Sequence, residues 1–357
     1  MAFITLDSKK LKSNYDYLDT LFKKNDIKFS IVAKVLCGNK LFLTELLKFN
    51  INQVCDSRVS NLKDIKSINP KIETIFIRPT PKNSIASVVK YADISINTEV
   101  ETIKLLSQEA KRQKKVHKII IMIELGELRE GVLGEAFIAF YESIFRLENI
   151  QVVGIGANLS CLYGVLPNKD KLIQLSLYKQ LIEAKFNKKI PFVSGGSSVT
   201  IPMIFNNQLP KGINHFRVGE TLFLGTNAYD HTEIKEMHPD IFILYSQIIE
   251  LIEKPMVPSG KRGTNVEGES FDFKKENIGK TTHRAIIDLG LLDVEVNHIE
   301  LVDKSLKLAG ASSDMIIVDL DENKKNLKVG DLIEFKLDYM GLLRIMNSKY
   351  IIKKVKE

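Results

Sequence analysis

A chain of 357 residues exceeds what one hydrophobic core ordinarily supports, since single cores stop growing at about 250–300 residues, and two domains are expected. With 44% hydrophobic and 27% charged residues and no low-complexity run, the composition excludes a disordered or fibrous chain. The net charge of +7 is spread as lysines among acids, as in "KRQKKVHK" (111–118) and "DENKKNLKVGD" (321–331); that is a solvated surface, not a nucleic-acid face.

The opening "MAFITLDSKKLKSNYDYL" has no basic stretch followed by a continuous apolar run, and no apolar segment approaches the roughly 18 residues that span a bilayer. The expectation is a cytoplasmic protein without a membrane partner. Cys37, Cys55 and Cys161 are odd in number and lack CxxC spacing, which points to a reducing compartment and away from disulfides or zinc. His231 and His238 lie seven apart and match no metal-ligand spacing, so no metal is expected.

Leu11, Tyr15, Leu18 and Phe22 recur at helical spacing after Ser8 as an N-cap, and Val100, Ile103, Leu106 and Ala110 do so after Thr98. Between such segments come eight β-branched runs of strand length: "FSIVAK" (29–34), "INQVCD" (51–56), "ETIFIR" (73–78), "ADISIN" (92–97), "HKIIIMIEL" (117–125), "QVVGIGANL" (151–159), "PFVSGG" (191–196) and "HFRVGE" (215–220). Eight strand-helix units in about 240 residues predict a TIM (β/α)8 barrel over 1–250, and no GxGxxG follows the first strand. Beyond 250, Pro255 and Pro258 precede the turn-rich "SGKRGTNVEGESFDF" (259–273), and the remainder reads as strands. A smaller C-terminal β domain, barrel or sandwich, is expected over 251–357.

TIM-barrel active sites lie at the carboxyl ends of the strands, so the residue types found there are the ones to weigh. The first run ends at Lys34 in "SIVAKVLCGNK" (30–40); an ammonium there either snorkels outward or is held for chemistry. The fifth leads to Arg129 in "ELGELREGV", the sixth to Asn158, the seventh to "SGGSS", and the eighth contains Arg217 before Gly219 and Glu220. In "SGGSSVTIPM" the glycines allow close backbone approach, and Ser197 and Ser198 open a helix; the stretch is either a plain turn or a phosphate cradle, and its place after the seventh strand favours the cradle. An anion site beside a strand-end lysine, without nicotinamide or metal signatures, suggests pyridoxal 5'-phosphate.

At "AKVLCGN", "ELGELREGV", "GANLSC", "SGGSS", "RVGETLFLG" and "LAGASSD" the sequence resembles the alanine racemase superfamily, the fold-type III pyridoxal phosphate enzymes, and most closely its alanine/ornithine racemase group. The resemblance implies an amino-acid racemase acting on ornithine or a similar basic or small amino acid. Lys34 is then the Schiff-base lysine and one acid/base group at the substrate α-carbon, and Arg217 lies against the pyridine nitrogen. Ser197, Ser198 and the backbone at Gly219 and Glu220 bind phosphate. Arg129 sits near the substrate carboxylate, and Asn158 replaces a ring-stacking histidine.

Alanine racemases draw a second base, a tyrosine, from the other subunit near the start of the β domain; "GTNVEGESFDFKKENIGKTTHR" has no tyrosine. Cys37 and Asp314 in "ASSDM", the latter from a partner subunit, are the candidates, and Tyr339 in "LDYMG" resembles a later tyrosine that reaches the partner's phosphate. These assignments imply a homodimer whose site is completed in trans. Glu130 and Asp314 are the acids available to pair with a distal ammonium. Two other readings remain open: a decarboxylase or D-amino-acid lyase on the same scaffold, and a non-catalytic pyridoxal phosphate carrier.

Overall fold

The structure is a computed structural model that describes every residue except Val266, Glu267, Glu269 and Glu357. Three of these four fall in the turn-rich stretch 259–273, so the loop expected there lies partly outside the described residues. The chain forms two compact units, one made of 9–239 and the other of 1–8 together with 240–357.

The first strand, β1 (Phe3–Asp7), precedes α1 (Ser8–Lys24). Then strands and helices alternate: β2 (Lys28–Val32), α2 (Lys40–Leu46), β3 (Gln53–Asp56), α3 (Val59–Ile68), β4 (Glu73–Phe76), α4 (Ile85–Tyr91), β5 (Ile94–Asn97), α5 (Val100–Arg112), β6 (His117–Met122), α6 (Phe137–Phe145), β7 (Ile150–Gly156), α7 (Lys169–Phe186), β8 (Phe192–Ser194), β9 (Gly196–Ser197), α8 (Ile201–Phe205), β10 (His215–Val218) and α9 (Glu220–Leu224). Strands β2 to β10 pair in parallel in the order β8-β7-β6-β5-β4-β3-β2-β10-β9. Because β8 and β9 are separated by Gly195 alone, the two ends of this sheet are one residue apart in the chain, and the sheet is a nearly closed TIM barrel. Asn214 helps seal the seam: its N–H donates to the Val193 carbonyl (3.3 Å), and its Oδ1 accepts from the Val193 N–H (2.8 Å).

Strands of a parallel barrel are covered on both faces, and β3, β5 and β6 are buried along nearly their whole length, polar residues included. Cys55, Ile75, Ile94, Ile96, Ile120, Met122 and Val153 form one core cluster in this unit. Leu11, Tyr15, Leu18 and Phe22 all lie on the buried face of α1, and Ile103, Leu106 and Ala110 on that of α5. The cap of α5 is Glu99 and not Thr98, because the Glu99 carboxylate accepts the N–H groups of Glu101 (2.7 Å) and Thr102 (3.1 Å). At Gly196 an added Cβ would lie 2.3 Å from the Phe216 ring, so β9 can run against β10 only as glycine.

The other unit is a mainly antiparallel sheet built on β11 (Phe242–Pro255), with β12 (Thr281–Ile287), β13 (Ile299–Leu301), β14 (Lys307–Ala311), β15 (Ile316–Asp319), β16 (Leu332–Leu337), α10 (Tyr339–Asn347) and β17 (Ile352–Lys356). Its strand order is β13-β16-β11-β12-β15-β14, with β1 antiparallel to β11 and parallel to β17. The expected boundary at 250 therefore moves to 239/240: β11 runs through 250 without interruption, pairing β1 and β16 over its first half and β12 over its second. The strand β1 did not figure in the expected elements, although "FITLD" alternates in burial as a half-buried strand does. Tyr339, expected on a strand, opens α10; the Asp338 carboxylate accepts the Gly341 N–H (2.7 Å) and caps that helix, and Leu342, Ile345 and Met346 are its buried face.

Candidate active site

Lys34 does not end a strand. It is the second residue of a 3-10 turn (Ala33–Leu36) that leaves β2, and the turn is closed by Cys37 and Gly38 in left-handed conformations (φ 48° and 73°). The Cys37 N–H donates to the Lys34 carbonyl (3.1 Å). Gly38 could not be larger, since a Cβ there would meet Asn61 Oδ1 at 2.6 Å. This turn delivers Lys34 to a cavity of ≈ 520 Å³ at the carboxyl ends of the barrel strands, which Arg129, Asn158, Ser197 and Arg217 also line.

The same cavity takes in residues the sequence reading passed over. Arg78, after β4, and Cys161, after β7, line it as well. Asp56, the last residue of β3, is fully buried and accepts the Arg58 N–H (2.8 Å) and the Asn61 amide (3.2 Å). Burial pushes its pKa up to about 6 against the pull of those hydrogen bonds and of the Lys34 ammonium. Asp56 is thus a carboxylate poised near neutrality within the electrostatic reach of Lys34. The strand-end rule that singled out Lys34 applies equally to the "CD" that ends β3, so this residue was within reach of the sequence.

Arg217 is buried and firmly held. Its Nη1 donates to the Ser194 carbonyl (2.8 Å) and to Ser194 Oγ; its Nη2 donates to the Ala157 carbonyl (2.9 Å) and to Asn158 Oδ1 (2.5 Å). Its Nε has no hydrogen-bond partner among the described residues. The Asn158 amide in turn donates to Glu130, and the Glu130 carboxylate grips Arg129 through both oxygens, one of them at 2.6 Å from Nη2. Arg217, Asn158, Glu130 and Arg129 are therefore one connected set, in which a single carboxylate serves two side chains.

The loop that carries Arg129 is anchored by a second acid. Glu127, 1% exposed, accepts five backbone N–H groups of the segment after β7: Ser160 (3.0 Å), Cys161 (2.7 Å), Leu162, Tyr163 (3.0 Å) and Val165 (3.1 Å). Burial alone would raise its pKa, but those donors, led by Leu162 and Tyr163, hold it below the ordinary carboxylate value. Nothing in "ELGELREGV" signals this role, because the five partners are backbone groups some 35 residues away.

Among the other expected residues, Ser198 faces the fold: its Oγ accepts the N–H groups of Gly219 and Thr221 (both 3.3 Å) and braces the turn into α9. Gly219 lets that turn press on β2, where an added Cβ would lie 3.1 Å from Val32. Glu220 is the first residue of α9. Cys37 is half-buried on the Lys34 turn. Asp314 and Tyr339 belong to the β unit. Asp314 is exposed in the β14–β15 turn, where Ser312 Oγ donates to its Oδ1 (3.3 Å), and Tyr339 is half-buried at the start of α10.

The family model for the alanine racemase N-terminal domain matches residues 6–227. The chain belongs to the alanine racemase family. It is 38% identical over 353 residues to an ornithine racemase from Acetoanaerobium sticklandii, with 99% of each chain covered, and 31% identical to a lysine racemase from Thermotoga maritima, covering 98% of this chain and 97% of that one. Among solved structures, an alanine racemase from Clostridium difficile superposes with TM-score 0.78 at 17% identity, over all of this chain and 96% of the other. One from Bartonella henselae, described with covalently bound pyridoxal phosphate, superposes with TM-score 0.74 at 17% identity over 99% of both chains. These likenesses bear out the TIM barrel followed by a β domain.

The donor set of this family member fits such a cofactor. Lys34, Arg78, Arg129 and Arg217 bring cationic groups to the cavity walls against the carboxylate of Glu130, a balance that favours an anion. The unengaged Nε of Arg217 is a donor suited to a ring nitrogen that can only accept. A volume of ≈ 520 Å³ lies within the usual range for ligands of this size.

Proposed function

We propose that the protein is a pyridoxal phosphate-dependent amino-acid racemase, with ornithine or a similar diamino acid as its substrate. The observation that carries the reading is the convergence of Lys34, Arg129, Asn158 and Arg217 on one cavity at the barrel mouth of a chain 38% identical to an ornithine racemase. Bound there, pyridoxal phosphate supplies a sink for the electron pair left at the substrate α-carbon when its proton departs. Lys34 holds the cofactor and moves that proton on one face. Arg217 donates to the ring nitrogen and, as a guanidinium that does not deprotonate, leaves it without a proton of its own.

Ser197 and the backbone at Gly219 and Glu220 hold the phosphate, with Ser198 fixing the shape of that turn. Arg129, presented by Glu130, meets the substrate carboxylate. The second acid/base group comes from Cys37 or from Asp314 of the partner subunit. Cys37 leaves the same turn as Lys34, whereas the opposite face of the substrate calls for a different element, which favours Asp314 and a homodimer completed in trans, with Tyr339 reaching the neighbouring phosphate. Three cysteines without a disulfide suit a cytoplasmic setting.

The test is α-proton exchange in deuterium oxide, followed by NMR and chiral chromatography, with L-ornithine, L-lysine, L-alanine and L-serine offered separately to the protein loaded with pyridoxal phosphate. Exchange with conversion to the D-enantiomer, lost in Lys34→Ala, is the expected result. Cofactor absorbance without exchange for any amino acid would overturn it in favour of a carrier, and loss of carbon dioxide or of an aldehyde in favour of a decarboxylase or lyase.

A further inference from the structure

Beneath Arg217 a line of polar side chains runs down the barrel interior, buried as far as Gln53, to the partly exposed Glu73 and Lys118 at the amino-terminal ends of the strands. Ser194 Oγ lies 2.7 Å from His215 Nδ1; His215 Nε2 lies 3.1 Å from Gln53 Oε1 and 2.9 Å from Ser30 Oγ; Ser30 Oγ donates to Gln53 Oε1 (2.9 Å); and Gln53 Nε2 donates to Glu73 Oε2 (2.5 Å). The other Glu73 oxygen receives Lys118 Nζ (2.9 Å). Ser30, Ser194 and His215 are fully buried, and Gln53 and Arg217 nearly so.

The chemistry of the groups leaves one consistent set of directions. A carboxylate only accepts, so Gln53 turns its NH2 toward Glu73 and its carbonyl oxygen toward His215. That oxygen also only accepts, so His215 carries its proton on Nε2. The ring is neutral, its pKa pushed down to about 3 by burial and then by the positive charge of Arg217. Nδ1 is therefore bare and accepts the Ser194 hydroxyl proton. The Ser194 oxygen is in turn free to accept from Arg217 Nη1.

We infer that Glu73, Gln53, His215 and Ser194 form a one-way hydrogen-bond relay in which Glu73, at the far end of the barrel, fixes the acceptor pattern that holds Arg217, so that Glu73 and His215 are positioning residues for the group Arg217 meets. The last clause rests on the function proposed above; the relay itself does not. Reversing it at one end reverses it throughout. In Glu73→Gln, Lys118 keeps the side-chain oxygen, and the new amide nitrogen takes the place of Oε2 opposite Gln53. Gln53 must then flip to present its oxygen there, its NH2 turns to His215, and the ring proton moves to Nδ1. Ser194 Oγ now faces two donors, and its own proton has lost its acceptor.

The experiment is a two-bond 1H–15N correlation on protein labelled at histidine nitrogen, without cofactor, with His215 assigned from the peaks that move in Ser194→Ala. The expected wild-type pattern is the Nε2–H tautomer, changing to Nδ1–H in Glu73→Gln with the fold retained by circular dichroism. The Arg217 side-chain nitrogen spectrum, in the same samples with labelled arginine, is expected to pass from slow to faster rotation of its Nη groups. An Nδ1–H pattern in the wild type, or an unchanged tautomer in Glu73→Gln, overturns the relay. An unchanged Arg217 spectrum overturns its positioning role. Failure of the loaded protein to exchange any α-proton would instead remove the functional reading and leave these spectra to decide the relay.

Discussion

The two ends of the barrel are organised by opposite means. At the carboxyl ends of the strands, charged side chains rise from loops with left-handed residues, among them Cys37, Gly38, Gly126 and Leu128, and carboxylates are shared or caged. At the amino ends, the polar groups project inward from the strands themselves, since Ser30, Gln53, Glu73 and His215 lie in β2, β3, β4 and β10. The upper end is fixed by electrostatics that a pH change or a single charge deletion can disturb. The lower end is fixed by hydrogen bonds among side chains buried inside the nearly closed sheet, with the Glu73–Lys118 ion pair as their anchor, so that the cost of an unmatched group is set by burial.

That contrast can be tested from the upper end downward in size of effect. Lys34→Ala is expected to lower α-proton exchange by at least about 10³-fold, as loss of a positioned proton-transfer group does, with little change in melting temperature; a large fall in stability with residual exchange would assign the lysine to structure. Glu130→Ala separates Arg129 from Asn158 and is expected to cost about 10- to 100-fold in kcat/KM, mainly as a rise in KM for the amino acid, which steady-state kinetics would read.

Glu127→Ala leaves five backbone donors without their acceptor and is expected to destabilise the protein by about 3 kcal/mol, with faster proteolytic cleavage between 158 and 165. The sign of its pH dependence follows from a folded pKa held below the ordinary 4.5: the contribution is complete above that value and is lost as pH falls through the depressed one, so acid should loosen this loop. Asp56→Asn is the smallest and has the opposite sign. With its folded pKa raised from 3.8 to about 6, Asp56 lowers stability as pH rises through that window, and the amide should gain about 1 kcal/mol at pH 8 while slowing exchange, because Lys34 loses its neighbouring charge. Thermal melts at pH 4 and pH 8 would show whether the gain is confined to the higher pH.

The same contrast decides what could be read in advance. Strand order, the barrel and the residues at its upper mouth follow from local signals: apolar runs of strand length, and the rule that chemistry sits at the carboxyl ends. Lys34, Arg129, Asn158, Ser197 and Arg217 were found that way and do share one cavity. Glu127 was not, because its partners are backbone groups distant in sequence. Ser30, Gln53 and His215 were not either, because a polar residue within an apolar strand has the same appearance whether it faces a partner across the barrel or merely tolerates burial. The β unit misled for a different reason: Leu342, Ile345 and Met346 have helical spacing, but their helix follows the alternating strand Leu332–Leu337 with only the capping Asp338 between the two.

The pairing of Phe3 with Ile352 in adjacent parallel strands also has a bearing on biosynthesis. At ribosomal rates of about 5–20 residues per second, β1 waits roughly 20–70 s for that neighbour, while the whole of 9–239 has already been made. The barrel stretch is thus complete in the chain before the sheet that uses the first strand can be. During that interval the edge of "FITLD" that β17 will cover is an unpaired β template.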